Sequence, residues 1–262
     1  MSTPRLILGL ETSCDDTSVA ILRTTDSVPQ VLCLNSLSQD DTLRKWGGVV
    51  PEIAAREHVK ALAPLLELSL REAGVKATDL TDIAVTTHPG LIGALLTGLG
   101  AAKTLAWVNQ LPITPVNHLW AHLEAIHLTH PTPYPYLGLL VSGGHSLVVK
   151  VSAPDQVEVL GQTLDDAAGE AFDKGGKLLG LGYPAGRVID LHAAKGDPTK
   201  YAFPISFMRD RPGKMSFSGL KTALRVFIEK HPEAKTTALD DVCASYQHAI
   251  VRTLVEKTQE VI

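Results

Sequence analysis

Arg5-Leu6-Ile7-Leu8-Gly9-Leu10-Glu11, then Thr12-Ser13-Cys14-Asp15-Asp16, then Thr17-Ser18-Val19-Ala20-Ile21-Leu22 reads as strand, polar turn and returning strand. The same order returns later in the chain. Tyr136-Leu137-Gly138-Leu139-Leu140-Val141 is followed by the turn Ser142-Gly143-Gly144-His145 and a strand from Ser146 to Val151. The likeness lies in the pattern and not in the letters, and it predicts two lobes that each open on a hairpin. Between them Pro131-Thr132-Pro133-Tyr134-Pro135 interrupts regular structure and sets the expected boundary, with lobes at 1–132 and 133–262.

Helices are expected around both hairpins. Pro51 suits the first turn of a helix running to about Ala73, with Ile53, Val59, Leu62, Leu66, Leu70 and Ala73 as its apolar stripe. Asp82 to Thr87 reads as a strand and Leu91 to Asn109 as a helix. Gly93, Gly98 and Gly100 each cost that helix about 1 kcal/mol relative to Ala, so close packing is expected to compensate. Leu111 to Val116 predicts one more strand. In the second lobe a strand near Val157 to Leu160 precedes helices at about Asp166–Leu179, Gly186–Ala194, Gly219–Lys230 and Ala238–Ile262. The last carries no Gly, Pro or Asn to stop it and is expected to run to the final residue. Strands mixed with helices throughout give an α/β fold, and 262 residues with 45% apolar content suffice to bury its cores.

A net charge of −4 argues against a protein coated in positive potential, so any nucleic-acid contact must be local. One local excess exists. Lys200, Arg209, Arg211, Lys214, Lys221, Arg225, Lys230 and Lys235 face only Asp210, Glu229 and Glu233 over that span. Cys14, Cys33 and Cys243 lack zinc-knuckle spacing and an even count, which implies a reducing compartment. No apolar run approaches the length of a membrane span, and Met1 to Leu10 lacks the layout of a signal peptide. A soluble cytoplasmic protein with no membrane partner is expected.

Three stretches carry chemistry. In Asn117-His118-Leu119-Trp120-Ala121-His122, Asn117 is a good helix N-cap and the two histidines fall one turn apart on one face. Imidazoles so placed can share a zinc or iron ion, although the same spacing arises in ordinary helices. Leu119 stands where a zincin protease has its glutamate, which disfavours that chemistry. The Ser142-Gly143-Gly144 turn can present backbone N–H groups and a hydroxyl to an anion, or serve as an ordinary Gly-Gly hairpin turn. Asp165, Asp166, Glu170 and Asp173 crowd four carboxylates together, with Asp166, Glu170 and Asp173 expected on one helical face. Cys14 is a poor nucleophile, since the carboxylates beside it raise the thiol pKa.

Taken together, the stretches Gly9–Thr17, Gly47–Glu52, Pro89–Leu96, His118/His122, Leu140–His145, Asp165–Lys174, Leu178–Pro184 and Phe217–Thr222 resemble the TsaD family, also called Gcp or YgjD and formerly labelled O-sialoglycoprotein endopeptidase. They occur in the family's order. The resemblance implies a two-lobed actin/Hsp70/sugar-kinase-like (ASKHA) fold, each lobe a mixed sheet flanked by helices, with the ligand between the lobes. It implies transfer of a threonylcarbamoyl group from threonylcarbamoyl-AMP to N6 of the adenosine 3′ of the anticodon, position 37, in tRNAs reading ANN codons. His118 and His122 would hold one divalent Fe or Zn ion. Leu140, Val141, Ser142, Gly143, Gly144, Asp173, Gly186 and Asp190 would bind the adenylate. Asp15 is the candidate for a group that orients substrate or takes a proton.

The resemblance further implies two protein partners, a small inactive homologue and an ATPase. Family members typically continue for several dozen residues past the position of Ile262, with a Gly-Gly-Val-x-x-Asn segment and an Asp that completes the metal site. The second lobe is therefore expected to be incomplete at its C-terminus. That leaves a non-catalytic fragment or scaffold of the same modification complex as the alternative, and the old metalloendopeptidase label as a weaker one. Asp16, Trp120-Ala121 and Gly175-Gly176 depart from the family's usual letters.

Overall fold

The computed structural model describes residues 4–25, 29–130, 132–205 and 211–262. The chain divides into two compact units, Met1–Thr132 and Pro133–Ile262. Pro131, Arg209 and Asp210 lie outside the described residues.

In the first unit β1 (Arg5–Glu11) and β2 (Asp16–Thr24) form the expected antiparallel hairpin, and β3 (Gln30–Ser38) extends it. After α1 (Asp40–Arg44) and α2 (Pro51–Ala73), β4 (Asp82–His88) joins the other side of β1 in parallel. Then α3 (Ile92–Asn109) leads to β5 (Ile113–Asn117), parallel to β4, and to the short α4 (His118–Glu124). The sheet order is β3-β2-β1-β4-β5. Side-chain alternation sends Leu8, Leu10, Val19, Ile21, Ile83 and Val85 into one core with Leu62, Ala102 and Ala106. Gly9, Glu11, Ala20, Ala84 and Thr86 line a cavity on the other face.

Several expectations needed correction here. The strand β3 and the turn of helix α1 have no clear signal in the sequence, and β3 is an edge strand whose Val31, Leu34 and Leu37 stay exposed. Val59 does not belong to the core stripe of α2: it is 65% exposed, and the buried positions are Ala54, His58, Leu62 and Ser69. The helix meets the sheet on a face that includes two polar residues, each of which finds a hydrogen-bond partner. Of the three α3 glycines, Gly98 and Gly93 do sit against neighbours (Thr12 and Ala55), whereas a Cβ on Gly100 would meet open space.

In the second unit β6 (Tyr136–Val141), β7 (Ser146–Ala153) and β8 (Gln156–Thr163) run antiparallel, and the two-residue β9 (Lys214–Met215) adds a parallel edge. Among the described residues they are accompanied by the α-helices α5 (Ala168–Leu179), α6 (Gly186–Ala193), α7 (Ser218–Lys230) and α8 (Leu239–Gln259). Their core gathers Val148, Ala171, Ile189, Phe217, Leu224, Tyr246 and Ile250. Two mixed sheets, each with its own helices, make the fold α/β.

Two helix limits differ from expectation. The first, α5, begins at Ala168 and not at Asp166, because Asp166 folds back to accept from Lys174 at 2.7 Å. The second, α8, ends at Gln259: the Glu260 carboxylate takes the Gly213 N–H at 3.1 Å and Lys257 Nζ at 2.7 Å.

Candidate active site

Three parallel strands, β1, β4 and β5, finish at the same edge of the first sheet. Loops at the C-terminal ends of parallel strands are where open α/β sheets place their chemistry. Glu11 ends β1, Thr86 stands near the end of β4, and Asn117 ends β5 and caps α4. The Asn117 side chain accepts from the Leu119 and Trp120 N–H groups at 2.9 and 3.3 Å, as an N-cap should. That cap starts the helix with His118, and His122 follows one turn later. Their Nε2 atoms converge to 3.3 Å, with ring planes at 84°. Both imidazoles overlook a cavity of about 300 Å³ whose floor is made by Gly9, Ala20 and Ala84.

Glu11 sits beneath this pair. Its carboxylate accepts from the Ser13 N–H and the Thr86 hydroxyl, and lies 3.2 Å from His118 Nδ1. Burial alone would raise the Glu11 pKa, but the hydrogen bonds from His118, Ser13 and Thr86 outweigh it and hold the carboxyl at about 2. Partial burial, and next the neighbouring His118, lower the His122 pKa.

The turn beyond Glu11 is clamped from three sides. Thr12 Oγ1 donates to the Ala94 carbonyl in α3 at 2.8 Å, and Leu91 N donates to the Ser13 carbonyl at 2.8 Å. His58 in α2 donates from Nε2 to the Cys14 carbonyl at 3.1 Å, and its Nδ1 meets Thr17 Oγ1 at 2.8 Å. Close approach requires glycine at Gly98, where a Cβ would stand 2.5 Å from Thr12 Oγ1. Asp15, the candidate orienting group, stands on this turn, and its carbonyl accepts from Gln39 N at 3.0 Å. Desolvation and the charge of Asp15 push the Cys14 thiol up to about 12, so it is no nucleophile at neutral pH.

In the second unit Leu140 and Val141 end β6, and Ser142, Gly143 and Gly144 form the turn into β7. The turn is closed by Ser142 N to the His145 carbonyl at 2.8 Å and by His145 N to Ser142 Oγ at 3.1 Å. Among the described residues the exposed amides of Gly143 and Gly144 donate to no protein acceptor. The turn rests on α5, where Gly169 N donates to the Ser142 carbonyl at 3.2 Å.

One turn further along α5, Asp173 Oδ1 accepts from Ala185 N at 2.8 Å, at the start of α6 beside Gly186. Asp190, one turn into α6, accepts from Gln247 Nε2 at 2.9 Å. Asp166, Glu170 and Asp173 do not form the expected acidic face, since α5 begins only at Ala168. Asp165 caps α7 through Phe217 N at 2.8 Å and Ser218 N at 3.1 Å, Asp166 and Glu170 hold Lys174, and Asp173 caps α6.

Glu11, Thr86 and His58 had no assigned role in the sequence. Glu11 was legible in part, since alternation with Leu8 and Leu10 puts it on the opposite face of β1. Its neighbours require the strand order. Among the described residues no group of three His, Cys, Asp or Glu is gathered as a metal shell. No helix among them is long and apolar enough to cross a membrane.

One α/β unit thus carries paired imidazoles at its strand ends, and the other a turn of exposed glycines. The TsaD family model, tRNA N6-adenosine threonylcarbamoyltransferase, matches residues 30–262. Proteins of that name from Streptococcus pyogenes serotype M18 (strain MGAS8232) and serotype M5 (strain Manfredo) are each 47% identical over 264 residues, covering 99% of this chain and 75% of theirs. The chain belongs to the TsaD family. Among solved structures, an Aquifex aeolicus PPX-GPPA enzyme is similar at TM-score 0.45 and 11% identity, covering 99% of this chain and 94% of the other. YeaZ from Pseudomonas aeruginosa is similar at TM-score 0.41 and 18% identity, covering 59% of this chain and 64% of the other.

Proposed function

We propose that the chain transfers a threonylcarbamoyl group from threonylcarbamoyl-AMP to N6 of adenosine 37 in tRNAs reading ANN codons. N6 attacks the carbamoyl carbon, the bond from that carbon to the phosphate oxygen breaks, AMP departs with the electron pair, and N6 loses a proton. The observation that carries the reading is the convergence of His118 and His122 Nε2 to 3.3 Å. Two nitrogen ligands about 2.0–2.1 Å from a tetrahedral ion stand roughly 3.3–3.4 Å apart, so the pair fits one Fe or Zn ion. When bound, such an ion supplies Lewis-acid polarisation of the carbonyl.

The chain's own groups do the rest. The open Gly143 and Gly144 amides and Ser142 meet the phosphate, whose charge grows as AMP leaves. In this reading Leu140 and Val141 flank the bound adenylate, and Asp173, Gly186 and Asp190 recognise its nucleoside hydroxyls. Asp15 orients substrate or takes the proton. A small inactive homologue and an ATPase are the partners carried over from the family, in the cytoplasm. The first candidate tRNA contact surface to mutate is the basic excess from Lys200 to Lys235, within which Lys200 is held by Asp241 at 2.6 Å.

The test is threonylcarbamoyladenosine formation, followed by mass spectrometry, with this chain, the partner proteins, ATP, threonine, bicarbonate and unmodified tRNA. Product is expected. Its absence, alongside product from a full-length relative, would turn the reading to a non-catalytic member of the same complex. An Asp15→Ala protein that keeps its fold and the normal transfer rate would remove Asp15 from the mechanism.

A further inference from the structure

We infer that Glu11 is a positioning residue that decides which nitrogen of His118 is offered to a metal ion. The inference rests on the reading of His118 and His122 as ligands. An ionised carboxylate only accepts hydrogen bonds. Glu11 Oε2 lies 3.2 Å from His118 Nδ1, and that approach is favourable only with the proton on Nδ1. Ser13 Oγ is also 3.2 Å from Nδ1, and a hydroxyl is able to donate to a bare nitrogen. That alternative would set the Nδ1 lone pair against those of Glu11 Oε2, so Ser13 accepts the other half of a shared bond. The proton on Nδ1 leaves Nε2 with its lone pair, and this is the atom that faces His122 Nε2 at 3.3 Å.

The carboxylate is itself held on both oxygens. Oε1 takes the Ser13 N–H from the turn after β1, and Oε2 takes the Thr86 hydroxyl from β4. Thr86, Glu11 and His118 therefore form a relay across three neighbouring strand ends, which sets ring plane and tautomer before any ion or substrate arrives. A carboxylate behind a ligating imidazole also strengthens its basicity, and loss of such a partner typically weakens metal affinity about 10–100-fold. The competing view is that Glu11 only ties the hairpin tip to β4. It makes no demand on the protonation of His118.

The two views separate in one set of measurements on the full chain. Long-range proton–nitrogen correlation spectra of the metal-free, nitrogen-15-labelled protein report the tautomer, with His118 identified by the signals lost in His118→Gln. Nδ1–H with bare Nε2 is expected, and an Nε2–H tautomer in the wild type overturns the inference. Zinc competition against a chromophoric chelator then compares wild type, Glu11→Gln and Glu11→Ala, with circular dichroism confirming the fold. The expected loss is about 10–100-fold for Glu11→Ala and less for Glu11→Gln, whose amide oxygen still accepts from Nδ1–H. Equal zinc affinity in a folded Glu11→Ala protein overturns it. A wild type that binds no zinc or iron sinks the ligand reading alone, and the tautomer still decides what Glu11 does. Should Glu11→Ala fail to fold, the wild-type spectrum and the Gln variant remain decisive.

Discussion

The two hairpins share a pattern and use it differently. At the first tip, Thr12, Ser13, the Cys14 carbonyl and Thr17 all bond to groups brought from α2, α3 and the loop before α3. At the second, Ser142 and His145 close the turn on themselves and Gly169 supports it from below. The glycine amides are left exposed. The first tip is thus an over-determined scaffold beside the imidazole pair, and the second is a lightly held turn of exposed glycines. Rigid placement suits groups that must hold a fixed geometry, whereas free N–H groups suit an anion that comes and goes.

The largest expected effect falls on the imidazoles. His118→Ala and His122→Ala should each abolish zinc or iron retention and remove several kcal/mol of transition-state stabilisation, read as loss of threonylcarbamoyladenosine in the mass-spectrometric assay. The corresponding change at the second tip, Ser142→Ala, should leave metal content untouched. Equal metal loss in both would break the contrast.

Next comes the scaffold of the first tip. His58 is fully buried with both ring nitrogens bonded, so His58→Ala should cost about 3 kcal/mol in urea unfolding, through a cavity and an unpaired Thr17 hydroxyl. Burial lowers the His58 pKa below 6.5, even though the Cys14 carbonyl and the charges of Glu11, Asp15 and Asp16 pull it upward. With the folded pKa depressed, the His58 contribution is whole above about pH 6.5 and is lost as pH falls through the folded value, because the unfolded chain takes the proton first. Wild-type stability should therefore decline as pH falls below about 6.5, and His58→Gln should show a shallower decline. Parallel declines would mean that other groups carry the slope.

A smaller effect is expected where the second turn rests on α5. A Cβ at Gly169 would stand 2.7 Å from the Ser142 carbonyl oxygen and 2.8 Å from Gly143 Cα, both backbone atoms of the turn. Gly169→Ala should cost about 1–3 kcal/mol and raise the KM for the adenylate more than it lowers kcat. An unchanged KM would argue that the turn does not touch substrate. Smallest is the bond from His145 N to Ser142 Oγ. Ser142→Ala should cost about 0.5–1.5 kcal/mol in denaturant unfolding, and a loss no larger than that measurement's error would show that the backbone bond suffices to close the turn.

Much of this was legible along the chain because the causes are local. Strand alternation in Arg5–Glu11, the Asn117 cap, Pro51 at the head of α2 and the Gly-Gly turn each act within a few residues. The carboxylates of Asp165 to Asp173 show where locality stops. The spacing of Asp166, Glu170 and Asp173 suggests one acidic face, yet the cluster divides among three partners: Asp165 takes the start of α7, Asp166 and Glu170 share the amine of Lys174, and Asp173 takes the start of α6. β3 offers little pattern to read, since an edge strand keeps exposed apolar residues.

The residues of Asn117-His118-Leu119-Trp120-Ala121-His122 suffice to bring two imidazoles to one helical face, because cap and helical period depend on near neighbours alone. They say nothing of Glu11, 107 positions away, or of Thr86, 75 positions from Glu11. Those three meet because β1, β4 and β5 lie side by side and in parallel, an arrangement set by how the sheet buries Leu8, Leu10, Ile83 and Val85. Hydrophobic burial has no direction of its own and depends on the whole unit, so the tautomer of His118 is decided by the fold and not by its own segment.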